Sequence, residues 1–454
     1  DLDMPDGPFN YEEFTSFKNQ LFFRGYTTTA TTGRELWKSN GTALGTFMVK
    51  DIYVDENGEG ESSPRYFTQL NANTLLFIAD SFGEGPELWK TDGTPANTTT
   101  VKIIHPGANA SGIVEYGPLA YGYSSSVVVN GIYYFSAATP HDFETDIGGN
   151  ELWRSDGSGA GTYMVTDLTR SWDAASGTGH SHPNYLTNFK NKLLFAAYSP
   201  QTGNELFESD GTAAGTRVLG DICPNVGLSC GGGGGPNGSY PSQFIVAGNL
   251  MYFFAYDGIS TTKRLWKTDG TVGGTAEVAS IPPGAHSGTI EKMTAFNGML
   301  FFVYHDGDDA HGRELWRTDG TTTSLVKDIG TGLDIFDRAF SSNPDFLTVA
   351  GRLLYFAATT ADNGRELWQT DGTEAGTRMV QDMAANSYNY FGSLIIGSSN
   401  PSDLANVNGT LFFSAEPFNF GNYSNVGREL WKVVAPHPSA GAVLPAILPI
   451  ILED

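Results

Sequence analysis

The tripeptide Glu-Leu-Trp, with an Asp-Gly-Thr turn three residues behind it, recurs along this chain of 454 residues. The aromatic positions are Trp37, Trp89, Trp153, Phe207, Trp266, Trp316, Trp368 and Trp431, spaced 50 to 64 residues apart. Seven of the eight Trp residues belong to the series, Trp172 being the exception. A rare residue repeating in register at such a period marks a repeat architecture. Each period has the same order: an apolar stretch, an Asn-Gly-like punctuator, an aromatic run, a variable loop, the Glu-Leu-Trp segment, the turn and a short apolar strand. In the sixth copy these are Ile290 to Phe296, Asn297-Gly298, Met299 to Tyr304, Glu314 to Thr318, Asp319-Gly320 and Ser324 to Ile329. Asn-Gly and Asp-Gly between apolar runs signal hairpins, because type I′ turns need positive φ at both central residues. Each copy therefore predicts four antiparallel strands, and the short, glycine-broken, aromatic segments offer no helix.

A lone four-stranded sheet cannot bury both faces. Runs such as Leu75-Leu76-Phe77-Ile78 and Leu353-Leu354-Tyr355-Phe356 place apolar residues on both. Radial stacking covers them, so the expected fold is all-β, an eight-bladed β-propeller of four-stranded antiparallel blades over residues 1–435. The expected repeats are 10–52, 64–104, 116–168, 183–222, 240–281, 289–329, 344–383 and 402–434. The last lacks its turn and fourth strand, and residues 1–4 are the segment expected to close it. Residues 436–454 read as an extended, apolar, Pro-containing tail. Its run from Ala442 to Leu452 carries Pro445 and Pro449 and is too short for a membrane span. Docking on the chain's own body or self-assembly through this tail are its two readings.

The fullest copies are Glu87-Leu88-Trp89-Lys90-Thr91-Asp92-Gly93-Thr94 and Glu366-Leu367-Trp368-Gln369-Thr370-Asp371-Gly372-Thr373. On these residues the chain resembles the ELWxxDGT-repeat family of secreted or surface-attached proteins over about residues 10–434. Asn40 stands for Asp, Phe207 for Trp, Arg264 for Glu and Ser158 for Thr. Within the motif, Glu and Trp share one strand face and Leu takes the other. Trp is expected to wedge against one neighbouring blade and Leu against the next. The Glu must then find donors, either turn N–H groups or an Arg such as Arg313 or Arg365. In the turn, Asp accepts from backbone N–H, Gly takes positive φ and the Thr hydroxyl ties back. Eight equivalent copies read as scaffold, because no ordinary enzyme uses eight equivalent catalytic groups.

Polarity comes from Ser, Thr, Asn and 56 Gly more than from charge, and the formal net charge is -24. Such a surface argues against nucleic acid, whose capture needs Lys and Arg patches. Cys223 and Cys230 are the chain's two cysteines and read as one local disulfide. Sequons stand at Asn40, Asn97, Asn109, Asn237, Asn408 and Asn422. Together with the missing initiator Met, these point to a secreted, extracellular or cell-surface glycoprotein.

Two loops hold metal-ligand chemistry. Asp51, Asp55, Asn57, Glu59 and Glu61 place oxygen ligands around a Gly, in outline a Ca²⁺ loop. His305, Asp306, Asp308, Asp309 and His311 are packed into seven residues before the sixth Glu-Leu-Trp, and His141, Asp142, Glu144 and Asp146 hold the equivalent place in the third copy. Aromatic insertions supply candidate contacts at Tyr388, Tyr390, Phe391, Phe418, Phe420 and Tyr423, suited to sugar rings or to a protein interface. No nucleophile elbow, Walker A or His-Glu-x-x-His occurs. The functional expectation is a non-enzymatic structural or adhesive scaffold partnered by surface or matrix proteins, with a glycan-binding module and a secreted glycan-active enzyme as alternatives.

Overall fold

The computed structural model describes residues 14–26, 33–54, 60–82, 85–104, 126–142, 147–169, 180–223, 238–260, 262–281, 290–307, 310–334, 336–384, 388–390, 393–416, 427–434 and 446–449. Among them there is no helix. The strands form eight four-stranded antiparallel sheets and one small hairpin, Tyr388–Tyr390 with Ser393–Ile395, which is the content of an eight-bladed β-propeller. The sixth sheet runs Glu291–Phe296, Met299–His305, Arg313–Thr318 and Thr323–Lys327, within a residue or two of the sequence reading. The chain divides into two compact units. One is Asp1–Phe244 with Phe254–Arg264 and Gly270–Val272; the other is Ile245–Phe253 with Leu265–Asp269 and Gly273–Asp454.

Within each unit the cores lie between consecutive sheets, as the alternation of Leu and Trp requires. Leu36 of the first sheet packs with Leu75, Phe77 and Trp89 of the second. Leu88 packs in the same way with Trp153, and Leu152 with Phe207. In the second unit Leu315 meets Trp368, and Leu367 meets Leu411, Phe413 and Trp431. Truncating such an aromatic to Ala costs about 3–5 kcal/mol in a well-packed core.

Polar stitches reinforce these contacts. In five sheets the residue after the Trp reaches the next sheet's turn glycine: Lys38 Nζ donates to Gly93 O (2.8 Å), Lys90 Nζ to Gly157 O (2.9 Å), Arg154 Nη1 to Gly211 O (3.3 Å), Lys267 Nζ to Gly320 O (2.5 Å) and Arg317 Nη1 to Gly372 O (2.5 Å). In the fourth sheet this position is Glu208, which instead pairs with Lys192 (3.0 Å) and Arg217 (2.7 Å). The turn itself is as expected: Asp371 Oδ1 accepts from Thr373 N (2.8 Å) and Thr373 Oγ1 (2.7 Å), and Gly372 has φ 98°. Gly376 is demanded by the same carboxylate, since a Cβ there would lie 2.1 Å from Asp371 Oδ1. In the second sheet Asn97 holds that place and donates to Asp92 Oδ2 (2.7 Å).

The eighth sheet departs from the expectation. Its strands are Ser402–Val407, Thr410–Ala415, Glu429–Val434 and Ala446–Pro449, so the tail supplies the fourth strand. Val433 pairs with Ile447 and Trp431 with Pro449, and Ile447 is buried in the core beside Leu367. Residues 1–4, expected in this place, lie outside the described residues. Proline is compatible with an outer strand because one edge of that strand has no ladder to feed. No helix among the described residues is long and apolar enough to cross a membrane.

Candidate functional site

The repeated glutamates are buried, and they act at the junctions between sheets. Glu35, Glu151, Glu205, Glu314 and Glu366 have no exposed surface. Each accepts a hydroxyl from a serine 27 to 34 residues downstream: Ser62 (2.5 Å), Ser181 (2.5 Å), Ser239 (2.6 Å), Ser342 (2.5 Å) and Ser399 (2.6 Å). The backbone N–H of the same serine donates as well, at 2.8–3.0 Å. A further N–H comes from the end of the outer strand, from Ile52, Leu168, Ile222, Ile329 and Met383. These donors replace the expected arginines: Arg313 is engaged with Glu291, and Arg365 with the carbonyl of Asn343. Burial pushes the carboxyls up, to about 7 for Glu35, Glu205, Glu314 and Glu366 and about 8 for Glu151, while the hydrogen bonds pull the other way. The neighbouring carboxylates of Asp51, Asp167 and Asp382 add to the rise at Glu35, Glu151 and Glu366.

The serines belong to a second repeat, Ser-x-Pro: Ser62-Ser63-Pro64, Ser181-His182-Pro183, Ser239-Tyr240-Pro241, Ser342-Asn343-Pro344 and Ser399-Asn400-Pro401. Every middle residue has positive φ, 41° to 49°. Its N–H donates back to the residue before the previous sheet's Glu, as Asn343 N does to Arg313 O (3.1 Å). The serine carbonyl accepts from the following sheet's second strand, as Ser342 O does from Thr359 N (2.8 Å). The segment thus joins two sheets before the new one begins.

In five of the sheets the first strand carries a bulge. Register shifts fall at Arg65/Thr68, Asn184/Thr187, Glu291/Thr294, Asp345/Thr348 and Ser402/Ala405. The bulged residue again has positive φ: Tyr66 (59°) and Tyr185 (54°) in the first unit, Lys292 (52°), Phe346 (56°) and Asp403 (53°) in the second. Bulky residues in this region are strained, and bulges re-aim side chains. The backbone device is constant from sheet to sheet and the side chain it presents is not.

In the second unit these positions adjoin. Thr294 Oγ1 donates to Leu347 O and Thr348 Oγ1 to Leu404 O, each at 3.4 Å, so the three first strands lie side by side. Phe346 is 40% exposed between the exposed Lys292 and Asp403. Lys292 Nζ lies 3.1 Å from Asp345 Oδ1. Arg313 holds Glu291 with two nitrogens (2.5 and 2.9 Å), and Arg428 donates to Ser402 Oγ (2.6 Å) and Ser414 Oγ (2.9 Å). Asp403 Oδ2 accepts from both of those hydroxyls, which hold its carboxyl below the usual range. The result is a rim with one open aromatic and fixed charges of both signs.

The sequence-predicted site residues fall elsewhere. Of the acidic loop, Asp51 stands beside Glu35, and Glu61 pairs with Arg34 (2.8 Å); Asp55, Asn57 and Glu59 lie outside the described residues. His311 Nδ1 is 2.7 Å from Asp306 Oδ2, which raises the imidazole's pKa, while His305 ends its strand and Asp308 and Asp309 are outside the description. Among the described residues no three His, Cys, Asp or Glu side chains come together as a metal site. Tyr388 and Tyr390 lie in the small hairpin; Phe391, Phe418, Phe420 and Tyr423 are outside the described residues. Cys223 is disulfide-bonded, and Cys230 is undescribed. Asn40, Asn97 and Asn408 are exposed in turns, whereas Asn109, Asn237 and Asn422 are undescribed.

No family model matches the chain, and no curated protein does. Solved structures do. A puromycin hydrolase aligns at 13% identity and a TM-score of 0.35, over 90% of this chain and 58% of that one. A structure from an analysis of two prolyl endopeptidases aligns at 11% and 0.41, over 90% and 54%. A Mycobacterium tuberculosis puromycin-hydrolyzing peptidase aligns at 11% and 0.35, over 90% and 59%. The chain thus spans little more than half the length of these neighbours, and at this identity the likeness is one of fold. It nevertheless corrects the functional expectation. The neighbours are hydrolytic enzymes, so neither the non-enzymatic structural or adhesive scaffold nor the assignment as a non-enzyme is kept.

Proposed function

We propose that this chain is a polypeptide-binding β-propeller in a peptidase-related role, taking its ligand across the bulge-bearing rim of sheets six to eight. The observation that carries this reading is the row Lys292, Phe346 and Asp403. One strained backbone position, repeated in three adjoining strands, presents a cation, an open aromatic and an anion. A polypeptide offers matching groups: apolar side chains for Phe346, and backbone amides and charges of either sign for its flanks. The peptide-cleaving neighbours supply the ligand class only within this proposal. Membership of the ELWxxDGT-repeat family rests on the motif, and a secreted location on the disulfide at Cys223.

The test is fluorescence anisotropy with a mixed decapeptide library, with mass spectrometry of the same samples for cleavage. Wild-type protein should retain a defined subset of peptides, and Phe346→Ala should weaken their binding at least fivefold without changing the unfolding midpoint. Equal retention by Phe346→Ala, or no saturable binding by the wild type, refutes the proposal.

A further inference from the structure

The residue before the repeated Glu is an arginine in four sheets: Arg34, Arg313, Arg365 and Arg428. Three of them pair with a carboxylate. Arg34 meets Glu61 (2.8 Å), Arg313 meets Glu291 (2.5 Å) and Arg428 meets Glu416 (3.4 Å). Arg365, in the third strand of the seventh sheet, pairs with no carboxylate among the described residues. Its guanidinium makes one hydrogen bond to them, from Nη1 to Asn343 O (2.9 Å). The matching bond in the eighth sheet runs from Arg428 Nη2 to Asn400 O (3.0 Å). Both carbonyls belong to the middle residue of a Ser-x-Pro, so holding that segment is what the two arginines share. The other nitrogens of Arg428 are occupied as well, by Ser402, Ser414 and Glu416.

The difference begins in the first strand. Glu291 opens it in the sixth sheet and Asp345 opens it in the seventh, one methylene shorter. Asp345 Oδ1 is already held by Lys292 Nζ of the sixth sheet (3.1 Å) and by the backbone N–H of Phe346 (2.8 Å). Asp345 therefore acts on Arg365 through its charge without pairing with it, while burial pulls the guanidinium's pKa down. The connection onward to the eighth sheet, residues 383–400, contains no Asp or Glu. Three side chains of the rim are thus tied to the short segment 343–346. Arg365 is held by the carbonyl of Asn343, Lys292 by the carboxylate of Asp345, and Phe346 is the open aromatic at its end. Arg365 is partly exposed. With Nη1 spent on Asn343, its Nε–Nη2 edge remains, and that edge matches the two oxygens of a carboxylate.

We propose that Arg365 takes a carboxylate of the polypeptide whose apolar side chain Phe346 receives, so that the rim selects peptides with a carboxylate close to an apolar residue. This rests on the polypeptide-binding reading and narrows its ligand. Asp345 is one anion between the two cations Lys292 and Arg365, which leaves positive charge for the ligand. The carboxylate has two sources in a peptide, the C-terminus of an apolar last residue or an acidic side chain beside an apolar one.

The experiment uses isothermal titration at low salt with four acetylated peptides of one neutral sequence. They end in Leu with a free carboxylate, in Leu amide, in Leu-Glu amide and in Leu-Gln amide. Wild-type protein should bind at least one acid about tenfold more tightly than its neutral counterpart, and the pair that differs identifies the source. Arg365→Gln should shrink that preference below about threefold while leaving the neutral peptides unchanged. Arg365→Lys, which keeps the charge and loses the fork, should retain only part of the preference. Phe346→Ala should weaken all four alike. Unfolding midpoints report whether each variant is folded, and if Arg365→Gln is not, the wild-type peptide series and Arg365→Lys decide. Equal binding of acid and neutral peptides, with dependence on Phe346 intact, overturns this proposal and leaves the broader reading standing. A preference undiminished in Arg365→Gln overturns it too. So does the absence of saturable binding by all four, while the decapeptide library decides the broader reading separately.

Discussion

Ser342→Ala tests the junction most directly. Glu314 accepts four hydrogen bonds, from Ser342 Oγ (2.5 Å), Ser342 N (2.9 Å), Gly330 N (3.0 Å) and Ile329 N (3.3 Å). The substitution removes the shortest and leaves the three backbone donors paired, so it does not strand a buried N–H. A hydrogen bond to a charged acceptor contributes about 1.5–3 kcal/mol, and about 2 kcal/mol is the expected loss when the measurement is made at a pH above 7, where Glu314 is ionised. Glu314→Ala is a poorer probe, since it leaves a hydroxyl and three amides unpaired at about 1–3 kcal/mol each. The effect should be local, and hydrogen exchange read by mass spectrometry over peptides containing 313–318 and 341–348 reports local opening. A 2 kcal/mol loss corresponds to roughly thirtyfold faster exchange there. Ser324→Ala, which removes a partly exposed 3.3 Å contact to Arg317, is the control and should change exchange less than about threefold. If Ser342→Ala also stays within about threefold of wild type, the carboxylate–serine contact does not hold the sheets together and the reasoning fails.

Two further outcomes follow from the same structure. Glu35, Glu205, Glu314 and Glu366 titrate near 7 and Glu151 near 8 when folded, above the 4.5 of a free side chain. Their stabilising contribution is therefore complete below about pH 4.5 and lost as the pH rises through 7 to 8. Urea midpoints should be higher near pH 5 than near pH 8.5, and the reverse order would contradict the burial argument. Gly376→Ala drives a methyl onto Asp371 Oδ1 and should cost about 1–3 kcal/mol, whereas Gly273→Ala, with nothing within 4 Å, should fall within about 0.5 kcal/mol of wild type in the same titration.

The sheets were legible because their signals are local. Asn297-Gly298 and Asp319-Gly320 mark turns by themselves, and the Leu and Trp of one strand announce two opposed faces. The junction was not legible in the same way. Glu314 is satisfied by Ser342, a small residue 28 positions away across a connection whose length varies from copy to copy. Reading the motif alone led to turn N–H groups or the adjacent Arg313; backbone N–H groups do donate, but Arg313 is already engaged with Glu291. The Ser-x-Pro repeat was visible in the letters, but only the positive φ of its middle residue reveals its use. The rim was harder still, because Lys292, Phe346 and Asp403 share a backbone conformation and no chemistry. The tail was read as docking on the chain's own body or as self-assembly and not as the fourth strand of the eighth sheet, an outer place that Pro449 allows.

The pairing of Glu35, Glu151, Glu205, Glu314 and Glu366 with a serine ahead of the following sheet also bears on how such a gene can lengthen. Duplicating or deleting one whole period leaves every glutamate upstream of a serine, wherever the breakpoint falls. A fractional event leaves a buried carboxylate without its hydroxyl. The array can thus change its number of copies over generations without a transitional form that strands a charge. Glu429, unlike its buried counterparts, is exposed. At the fifth position Arg264 replaces the acid and Gly288-Thr289-Ile290 replaces the Ser-x-Pro, so both halves of one pair differ together.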